Sequence, residues 1–236
     1  MKTTLFVLTY NEVIGMREIM PRIKREWVDE ILIVDGGSTD GTVEYAKEQG
    51  YATYVQKRKG IRHAYIEGLP LVKTDYVITF SPDGNSVPEA IPGLIEKIKG
   101  GYDMVIASRY LDDAISHDDN LITRFGNWLF TTFINIIHKG TYTDAMVIFR
   151  IYQKSLFYDL KMDTEESYNM ERWFFTTMGI EPLLSVRCAK YKKRYTEIAE
   201  DEPKRIGGER KLQIFRWGAA YFTQIIKEKF INISVR

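Results

Sequence analysis

The stretch ILIVDGGSTDGTVEYAKEQGYATYV (residues 31–55) decides the fold class of this chain. It opens with a continuous aliphatic run, which is typical of a strand buried on both faces. A Gly-rich turn follows, and Val43 and Ala46 then lie at helical spacing before Gly50 ends the segment. A second apolar run occupies residues 51–55. This strand–helix–strand unit predicts a parallel sheet with helices on its faces, an α/β architecture.

Further apolar runs at residues 3–8, 76–80 and 104–107 predict more strands of the same sheet. Ligands of such sheets bind at the carboxyl ends of the strands, near a switch in strand order. The loops that follow the predicted strands are 9–12, 35–42, 81–85 and 108–113. Most polar residues that could carry chemistry lie in these loops.

The second half of the chain has a less regular pattern. The predictions there are a helix at 124–140, an extended segment at 144–152, a helix at 164–180 and a strand at 181–190. The 164–180 helix is expected to bury Tyr168, Trp173, Phe174 and Thr177. We expect a catalytic domain at 1–185 and a C-terminal extension at 186–236, with a basic, lid-like segment at 190–211 and an amphipathic helix.

The composition is that of an ordinary globular protein of 236 residues, with 33 basic and 32 acidic side chains. The charge balance gives no indication of nucleic-acid binding, and we expect none. The single Cys188 excludes an internal disulfide and favours a reducing compartment. No secretory pattern and no apolar run of about 20 residues is present, so we expect a cytoplasmic chain, soluble or peripheral on the membrane. Residues 128–137 and 217–226 favour core helices, with interfacial membrane contact as the alternative.

Two of the loops contain candidate ligand-binding residues. In DGGSTDGT (35–42), Asp35 could accept hydrogen bonds from a nucleoside, and the helix that follows could attract an anion. In SPDGN (81–85), Asp83 and Asn85 offer oxygen ligands two residues apart, which suit Mg²⁺ or Mn²⁺ on a diphosphate. Each loop also has a plain interpretation as a turn, because Gly, Pro, Asp and Asn are turn formers.

The order of the motifs along the chain is more specific than any one of them. The motifs are VLTYNE (7–12), IVDGGSTDGT (33–42), KGIRHAYIEGL (59–69), DYVITFSPDGNSVPEAIPGLI (75–95) and MVIASRY (104–110). This series resembles the family 2 inverting glycosyltransferases of the GT-A fold. With RFGNWLF and DAMVIFRIYQKSL (144–156), the chain is most similar to the polyprenyl-phosphate sugar transferase branch, whose known type is dolichyl-phosphate mannose synthase.

The resemblance implies a Rossmann-like, mostly parallel sheet, a nucleotide-diphosphate-sugar donor and a divalent metal, Mn²⁺ or Mg²⁺. It assigns the donor pocket to Thr9, Tyr10, Glu12 and Asp35, to which we add Gly60 and Arg62. It assigns the metal to Asp83 and Asn85, and the phosphate of acceptor or product to Arg109 and Arg124. Asp144 is a further catalytic candidate, expected to face sugar or acceptor.

Two positions depart from the family pattern. Ser81 stands where the family usually has the first Asp of the metal turn, so metal binding is expected to be retained but weaker. Gly36 stands where a second Asp often follows the second strand. This leaves the base open between uracil and guanine.

The acceptor divides the functional hypotheses. A polyprenyl phosphate is already an anion and needs no general base, whereas a sugar hydroxyl does. The order of the motifs and the basic segment at 190–211 lead us to expect transfer to a polyprenyl phosphate or a related membrane-borne acceptor. The alternatives are transfer to a saccharide hydroxyl, with Glu165 or Glu166 as the base, and nucleotide-sugar binding without catalysis.

Overall fold

A computed structural model describes residues 1–207 and 214–235. Its strands form one sheet in the order β3-β2-β1-β4-β6-β5-β7. The strands are β1 (Thr3–Thr9), β2 (Glu30–Asp35), β3 (Ala52–Val55), β4 (Tyr76–Phe80), β5 (Met104–Ser108), β6 (Arg150–Gln153) and β7 (Tyr195–Ala199). β6 pairs antiparallel with both β4 and β5, and the other pairs are parallel. The predicted mostly parallel sheet is thus confirmed.

Helices cover both faces of this sheet. They are α1 (Val13–Ile19), α2 (Thr42–Glu48), α3 (Ile61–Gly68), α4 (Ile91–Ile98), α5 (Leu121–His138), α6 (Lys154–Asp159), α7 (Met170–Phe174), α8 (Glu181–Lys190) and α9 (Ile214–Glu228). One core lies between the sheet and α1, α2 and α4, and the other lies under α3, α5, α6, α8 and α9. The inner strands β1, β2, β4, β5 and β6 are buried on both sides because helices cover both faces, whereas the edge strands β3 and β7 are partly exposed.

The strand predicted at 181–190 is wrong, because these residues form helix α8. Pro182 lies in the first turn, where its missing N–H costs no hydrogen bond. Residues 181–189 are buried on every side, so the run lacks the polar face that would reveal a helical period. A fully buried helix and a buried strand have the same apolar pattern over so short a length.

The helix predicted at 164–180 is interrupted. A 3₁₀ turn covers Glu165–Tyr168, and α7 ends at Phe175, whose φ of 48° is left-handed. Tyr168 is buried as predicted, whereas Trp173 is 72% exposed, contrary to the prediction. The left-handed residue Phe175 ends the helix at Phe174.

The C-terminal part of the chain is integrated with the sheet. The boundary expected at residue 185 lies inside α8, and β7 pairs in parallel with β5. Helix α9 packs against α5, α7 and α8. Part of the basic segment expected at 190–211, from residue 208 onwards, lies outside the described residues.

Candidate active site

A crevice opens where the strand order changes direction, between β1 and β4. The loop after β1 carries Tyr10 and Glu12, and the loop after β4 carries Asp83 and Asn85. Both loops leave the same edge of the sheet, because β1 and β4 are parallel. This is the position at which ligands bind in open α/β sheets.

The 81–85 turn holds its polar groups in a fixed arrangement. Asp83 is buried, and its Oδ1 accepts the backbone N–H of Asn85 at 3.1 Å. Gly84 has a φ of +92°, a conformation that glycine adopts without strain. The side-chain Oδ1 of Asn85 is buried and has no hydrogen-bond partner among the described residues. An unpaired buried acceptor beside a carboxylate is a suitable ligand pair for a hard cation.

In this structure a guanidinium group lies at that place. Arg205 Nη2 contacts Asp83 Oδ2 at 2.7 Å, and Nη1 contacts Glu12 Oε1 at 3.3 Å. The segment around Arg205 also covers the turn, since the Ile206 N–H donates to the Asp83 carbonyl at 2.8 Å. Asn85 Nδ2 donates to the Pro203 carbonyl at 3.1 Å. Arg205 therefore supplies the positive charge that a bound cation would otherwise supply.

The donor set fits a magnesium or manganese ion that shares its coordination with a substrate. Such ions are held by one or two side-chain oxygens together with phosphate oxygens and water. Asp83 and Asn85 provide the two side-chain oxygens. Among residues 1–207 and 214–235, no group of three His, Cys, Asp or Glu side chains converges as a cation site. A cation here thus depends on phosphate oxygens to complete its coordination.

Asp35 is fully buried and organises the loop beside the crevice. Its Oδ1 accepts the N–H groups of Gly37 (2.9 Å) and Ser38 (2.7 Å). Its Oδ2 accepts the hydroxyls of Thr9 (2.8 Å) and Ser38 (2.6 Å). The chain itself thus occupies the acceptor positions of this carboxylate, and direct contact with a nucleoside stays a prediction.

Arg62 lies in an ion-pair network rather than at the metal turn. It contacts Glu171 at 2.6 Å and Glu165 at 3.0 Å, and its guanidinium lies 4.5 Å from the ring centre of Tyr168. Gly60 precedes it with a φ of +105°, and an added Cβ would lie 2.5 Å from the methyl carbon of Thr177. Both residues anchor the start of α3, and their contact with a donor stays a prediction.

Arg109 and Asp144 form the main buried charge pair of the site. Arg109 Nε contacts Asp144 Oδ2 at 2.6 Å, and Nη1 contacts Glu202 at 3.2 Å. Burial alone would raise the pKa of Asp144, but the Arg109 charge outweighs it and the pKa lies below its usual value. Asp144 therefore stays ionised beside Arg109, and its catalytic role stays a prediction.

A cavity of about 400 Å³ joins these groups to an apolar channel. Its polar end is lined by Ser81, Asp83, Asn85, Arg109, Glu202 and Arg205. Its other end runs between α5 and α9, where Ile122, Gly126, Phe130, Trp217, Gly218 and Tyr221 line it. The arrangement can accommodate an anionic group at one end and a hydrocarbon chain at the other.

Of the predicted site residues, Asp83, Asn85 and Arg109 line this cavity and the others lie outside its lining. Arg124 is exposed on α5, and no described residue pairs with it. Glu165 is bound to Arg58 and Arg62, and these contacts lower the pKa of its carboxyl, Arg62 having the largest effect. Glu166 is exposed on the 3₁₀ turn. The structure does not bring Arg124, Glu165 or Glu166 together with Asp83. The catalytic roles of these three residues stay predictions.

The sequence pattern does not single out Arg205 or Glu202. Both lie in a charge-rich segment about 120 residues after the 81–85 turn that they approach. No local sequence pattern distinguishes Arg205 from the other basic residues of this segment. A signal exists only in combination: the segment follows β7, whose carboxyl end is at the same sheet edge as that of β5. Recognising it requires the strand order, which local patterns do not contain.

Replacing Arg205 by glutamine is expected to tighten Mn²⁺ binding in the absence of donor by about fivefold, because the guanidinium competes with the ion for Asp83. Manganese titration followed by electron paramagnetic resonance measures this affinity. The matched control is Arg22→Gln, which removes a surface pair with Glu89 and should leave the affinity unchanged. Equal affinities for wild type and Arg205→Gln would show that the two cations do not compete.

Glu200, which lines the cavity, is expected to make stability pH-dependent. Burial, followed by the charges of Asp201 and Glu89, raises the pKa of Glu200 from 4.5 to about 7. Between these values the folded chain holds a proton that the unfolded chain has released, so stability falls as pH rises through this window. In the wild type, Tm measured by thermal unfolding should fall as pH rises from 5 to 7, a window of about two pH units. Glu200→Gln should flatten this fall. The exposed Glu96→Gln should keep the wild-type slope, and an unchanged slope in Glu200→Gln would contradict the assignment.

The comparison with protein families gives one match that covers more than half of the chain. Glycosyl transferase family 2 matches residues 4–161. This range contains β1 to β6 and both the loop after β1 and the metal turn. The match therefore includes the crevice described above.

Several relatives are similar in sequence. Glycosyltransferase AglJ of Haloferax volcanii is 26% identical over 226 residues, covering 95% of this chain and 71% of that protein. Undecaprenyl-phosphate mannosyltransferase of Micrococcus luteus is 24% identical, covering 93% of this chain and 95% of that protein. Dolichol-phosphate mannosyltransferase of Pyrococcus furiosus is 36% identical over 119 residues, which are 47% of this chain and 34% of that protein.

Solved structures show the same fold. Glucosyl-3-phosphoglycerate synthase from Mycobacterium tuberculosis, in complex with Mn²⁺, uridine diphosphate and phosphoglyceric acid, has a TM-score of 0.70. The match covers 99% of this chain and 80% of that chain at 17% sequence identity. At this identity the likeness carries the fold alone, and it confirms the fold expected from the sequence.

Proposed function

Because the chain is a glycosyltransferase that belongs to glycosyl transferase family 2, we propose that it moves a sugar from a nucleotide-diphosphate-sugar to a polyprenyl phosphate, with inversion at the anomeric carbon. Two relatives, the undecaprenyl-phosphate and dolichol-phosphate mannosyltransferases, carry polyprenyl-phosphate acceptors in their names. They support the polyprenyl-phosphate branch of the family for this chain.

One observation carries the proposed acceptor: the cavity is polar at Asp83 and Arg109 and mostly apolar between α5 and α9, where Thr123 and Asn127 of α5 also line it. A saccharide acceptor would be matched by hydrogen-bonding groups along its length. A polyprenyl phosphate has one anionic end and a long hydrocarbon chain, which fit the two ends of this cavity. This division of polarity supports a polyprenyl phosphate as the acceptor.

The chain's own residues have distinct roles in the proposed reaction. Asp83 and Asn85 would hold a divalent cation against the donor diphosphate, and the cation would neutralise charge on the departing nucleoside diphosphate. Arg205 lies beside Asp83. Once the Arg205 guanidinium leaves the Asp83 carboxylate, it would contact the same diphosphate. Arg109, held by Asp144 and Glu202, presents a fixed positive charge to the cavity. A phosphate oxygen of the acceptor attacks the anomeric carbon, and the bond to the nucleoside diphosphate breaks.

The donor and the surroundings of the enzyme complete the proposal. Thr9, Tyr10, Glu12 and Asp35 border the crevice and would face the nucleoside. The region 1–185 would carry the donor, and the acceptor would lie between this region and α9 of the C-terminal extension. The segment 203–206 would move off the 81–85 turn to admit the donor. The chain would act at the cytoplasmic membrane face, where its acceptor is held.

The product assay tests this function directly. Purified protein is incubated with Mn²⁺, a panel of uridine- and guanosine-diphosphate sugars, and a polyprenyl phosphate in detergent. The expected product is a polyprenyl-phosphate sugar, detected by mass spectrometry, with release of an equal amount of nucleoside diphosphate. If a free saccharide is glycosylated while no glycolipid forms, the acceptor claim fails.

Glu166→Gln is expected to change the rate of glycolipid formation by less than about threefold, because a phosphate acceptor needs no general base. Initial rates at saturating acceptor give the comparison. Glu165→Gln serves as the companion variant, and its loss of contacts to Arg58 and Arg62 should lower stability slightly without removing turnover. Abolished turnover in Glu166→Gln, with donor binding retained, would instead indicate a saccharide hydroxyl acceptor.

A further inference from the structure

Helix α5 exposes an apolar stripe on the side that faces away from the sheet. The stripe consists of Leu121, Phe125, Trp128 and Ile136, which helical periodicity places on one side of the helix. Leu121 is 88% exposed and Ile136 is 73% exposed. At 1.5 Å per residue the stripe is roughly 22 Å long. A surface helix normally presents polar residues to water, so these positions call for a partner.

Helices α9 and α7 extend this apolar surface. Phe222 of α9 packs edge-on against Phe133 of α5, with ring centres 5.1 Å apart, and remains 37% exposed. Ile226 lies one turn further along α9, and α7 also packs against α9. We call this surface the outer face and define it by Leu121, Phe125, Trp128, Ile136, Trp173, Phe175, Phe222 and Ile226.

The charged side chains that α5, α7 and α9 expose have one sign. The only acidic residues of α5, α7 and α9 are Glu171 and Glu228. Glu171 is paired with Arg62 at 2.6 Å, and Glu228 is paired with Arg187 at 2.8 Å. The charged side chains that these helices expose, within the described residues, are Arg124, Arg172 and Arg216, with Lys227 half-buried. The exposed sides of these three helices are therefore cationic although the whole chain is nearly neutral. Acidic residues precede two of the helices: Asp118 and Asp119 before α5, and Glu165 and Glu166 before α7.

A hollow between α7 and α9 concentrates part of this charge. It has a volume of about 580 Å³ and is lined by Asn169, Met170, Arg172, Trp173, Thr223 and Lys227. Two cations beside an exposed indole ring suit a phosphate headgroup at a lipid–water boundary, where tryptophan and basic side chains concentrate.

We propose that the outer face docks on an anionic lipid bilayer, with its apolar residues in the headgroup region and a lipid phosphate in the hollow. A second copy of the chain fits less well, because a symmetric contact would bring these cations together. Within residues 1–207 and 214–235 no helix has the length and apolarity to cross a membrane, so this contact is interfacial. The reason for docking rests on the proposed function, in which the acceptor is held in the membrane. Ile122, next to Leu121, lines the cavity, so the cavity opens beside the docked surface.

Vesicle co-sedimentation of the full chain, without donor or acceptor, tests the docking. We expect binding to vesicles of mixed phosphatidylglycerol and phosphatidylcholine, and little binding to phosphatidylcholine alone. Phe125→Ser with Trp128→Ser should lower the partition coefficient at least about tenfold, because two exposed rings lose their apolar contact. Arg172→Gln and Lys227→Gln should each lower it roughly fivefold on anionic vesicles only. The matched controls are Leu71→Ser, an exposed apolar residue remote from the outer face, and Lys47→Gln on α2.

The outcomes separate this inference from the proposed function. Absent binding to anionic vesicles, or binding unchanged in Phe125→Ser/Trp128→Ser, overturns the docking surface. Self-association that the same double variant abolishes would assign the surface to a second copy and also overturn it. Glycolipid formation in detergent is measured in parallel, since it needs no bilayer. Glycolipid formation without vesicle binding would contradict only the docking proposal. Vesicle binding without glycolipid formation would contradict only the proposed reaction.

Discussion

Asp83→Asn is expected to lower kcat/KM for sugar transfer by at least about 100-fold, because it removes the only carboxylate of the 81–85 turn, which we propose pairs with the cation. The substituted amide keeps an oxygen that can accept the Asn85 N–H, which now lies 3.1 Å from Asp83 Oδ1. The turn should therefore keep its shape while it loses its negative charge. Neither Ser81 nor Asn85 can replace that charge.

The measurement combines calorimetry of donor binding with steady-state kinetics. In the variant, Mn²⁺ should no longer strengthen donor binding, and thermal unfolding without ligand should stay close to wild type. Asp113→Asn, an exposed carboxylate on the loop after β5, is the matched control and should behave as wild type. Donor affinity that still depends on Mn²⁺ in Asp83→Asn would remove Asp83 from the metal site.

Arg187→Met is expected to lower the free energy of unfolding by about 3–5 kcal/mol, because it leaves a buried carboxylate without its partner. Arg187 and Glu228 are both buried and form a two-point pair, with distances of 2.8 and 3.2 Å. Arg187 also donates to the Leu160 carbonyl at 2.7 Å and to Ser167 Oγ at 2.8 Å. This one side chain joins α8 to the end of α9 and to the turn before α7.

Denaturant unfolding of two further variants gives this prediction its controls. Arg187→Met/Glu228→Leu should lose less stability than Arg187→Met, because no buried charge is then unpaired. Arg22→Met removes an exposed pair of the same kind, with Glu89, and should cost less than about 1 kcal/mol. If Arg187→Met costs no more than Arg22→Met, the pair does not hold α9 in place.

The strands of the first half of the sheet could be predicted from the sequence because each is a short aliphatic run followed by turn-forming residues. The same reasoning misassigned 181–190, where a helix is buried on every side and shows no polar period. It also missed the interruption at Phe175. The sequence pattern of residues 164–180 predicts a continuous helix, but the left-handed φ of 48° at Phe175 ends that helix. Trp173 then lies outside, where it joins the outer face instead of the core.

The candidate site could be predicted only where its residues follow strands directly. Asp83 and Asn85 are such residues, and the structure places them in the crevice as a buried turn. Arg205 and Glu202 reach the site from a segment whose position depends on the pairing of β7 with β5. Arg62 shows the converse, because a basic residue beside a family motif is here engaged with Glu171 and Glu165. Such pairings link residues about 100 positions apart, and no local pattern encodes them.

A crystal structure with the nucleotide-sugar donor and Mn²⁺ tests the central claim most directly. We predict one ion bound by Asp83 and Asn85 and by oxygens of the donor diphosphate, with the Arg205 guanidinium moved off the Asp83 carboxylate and onto the diphosphate. A structure in which the diphosphate lies far from Asp83, or in which no ion lies on the turn while donor is bound, would contradict the account.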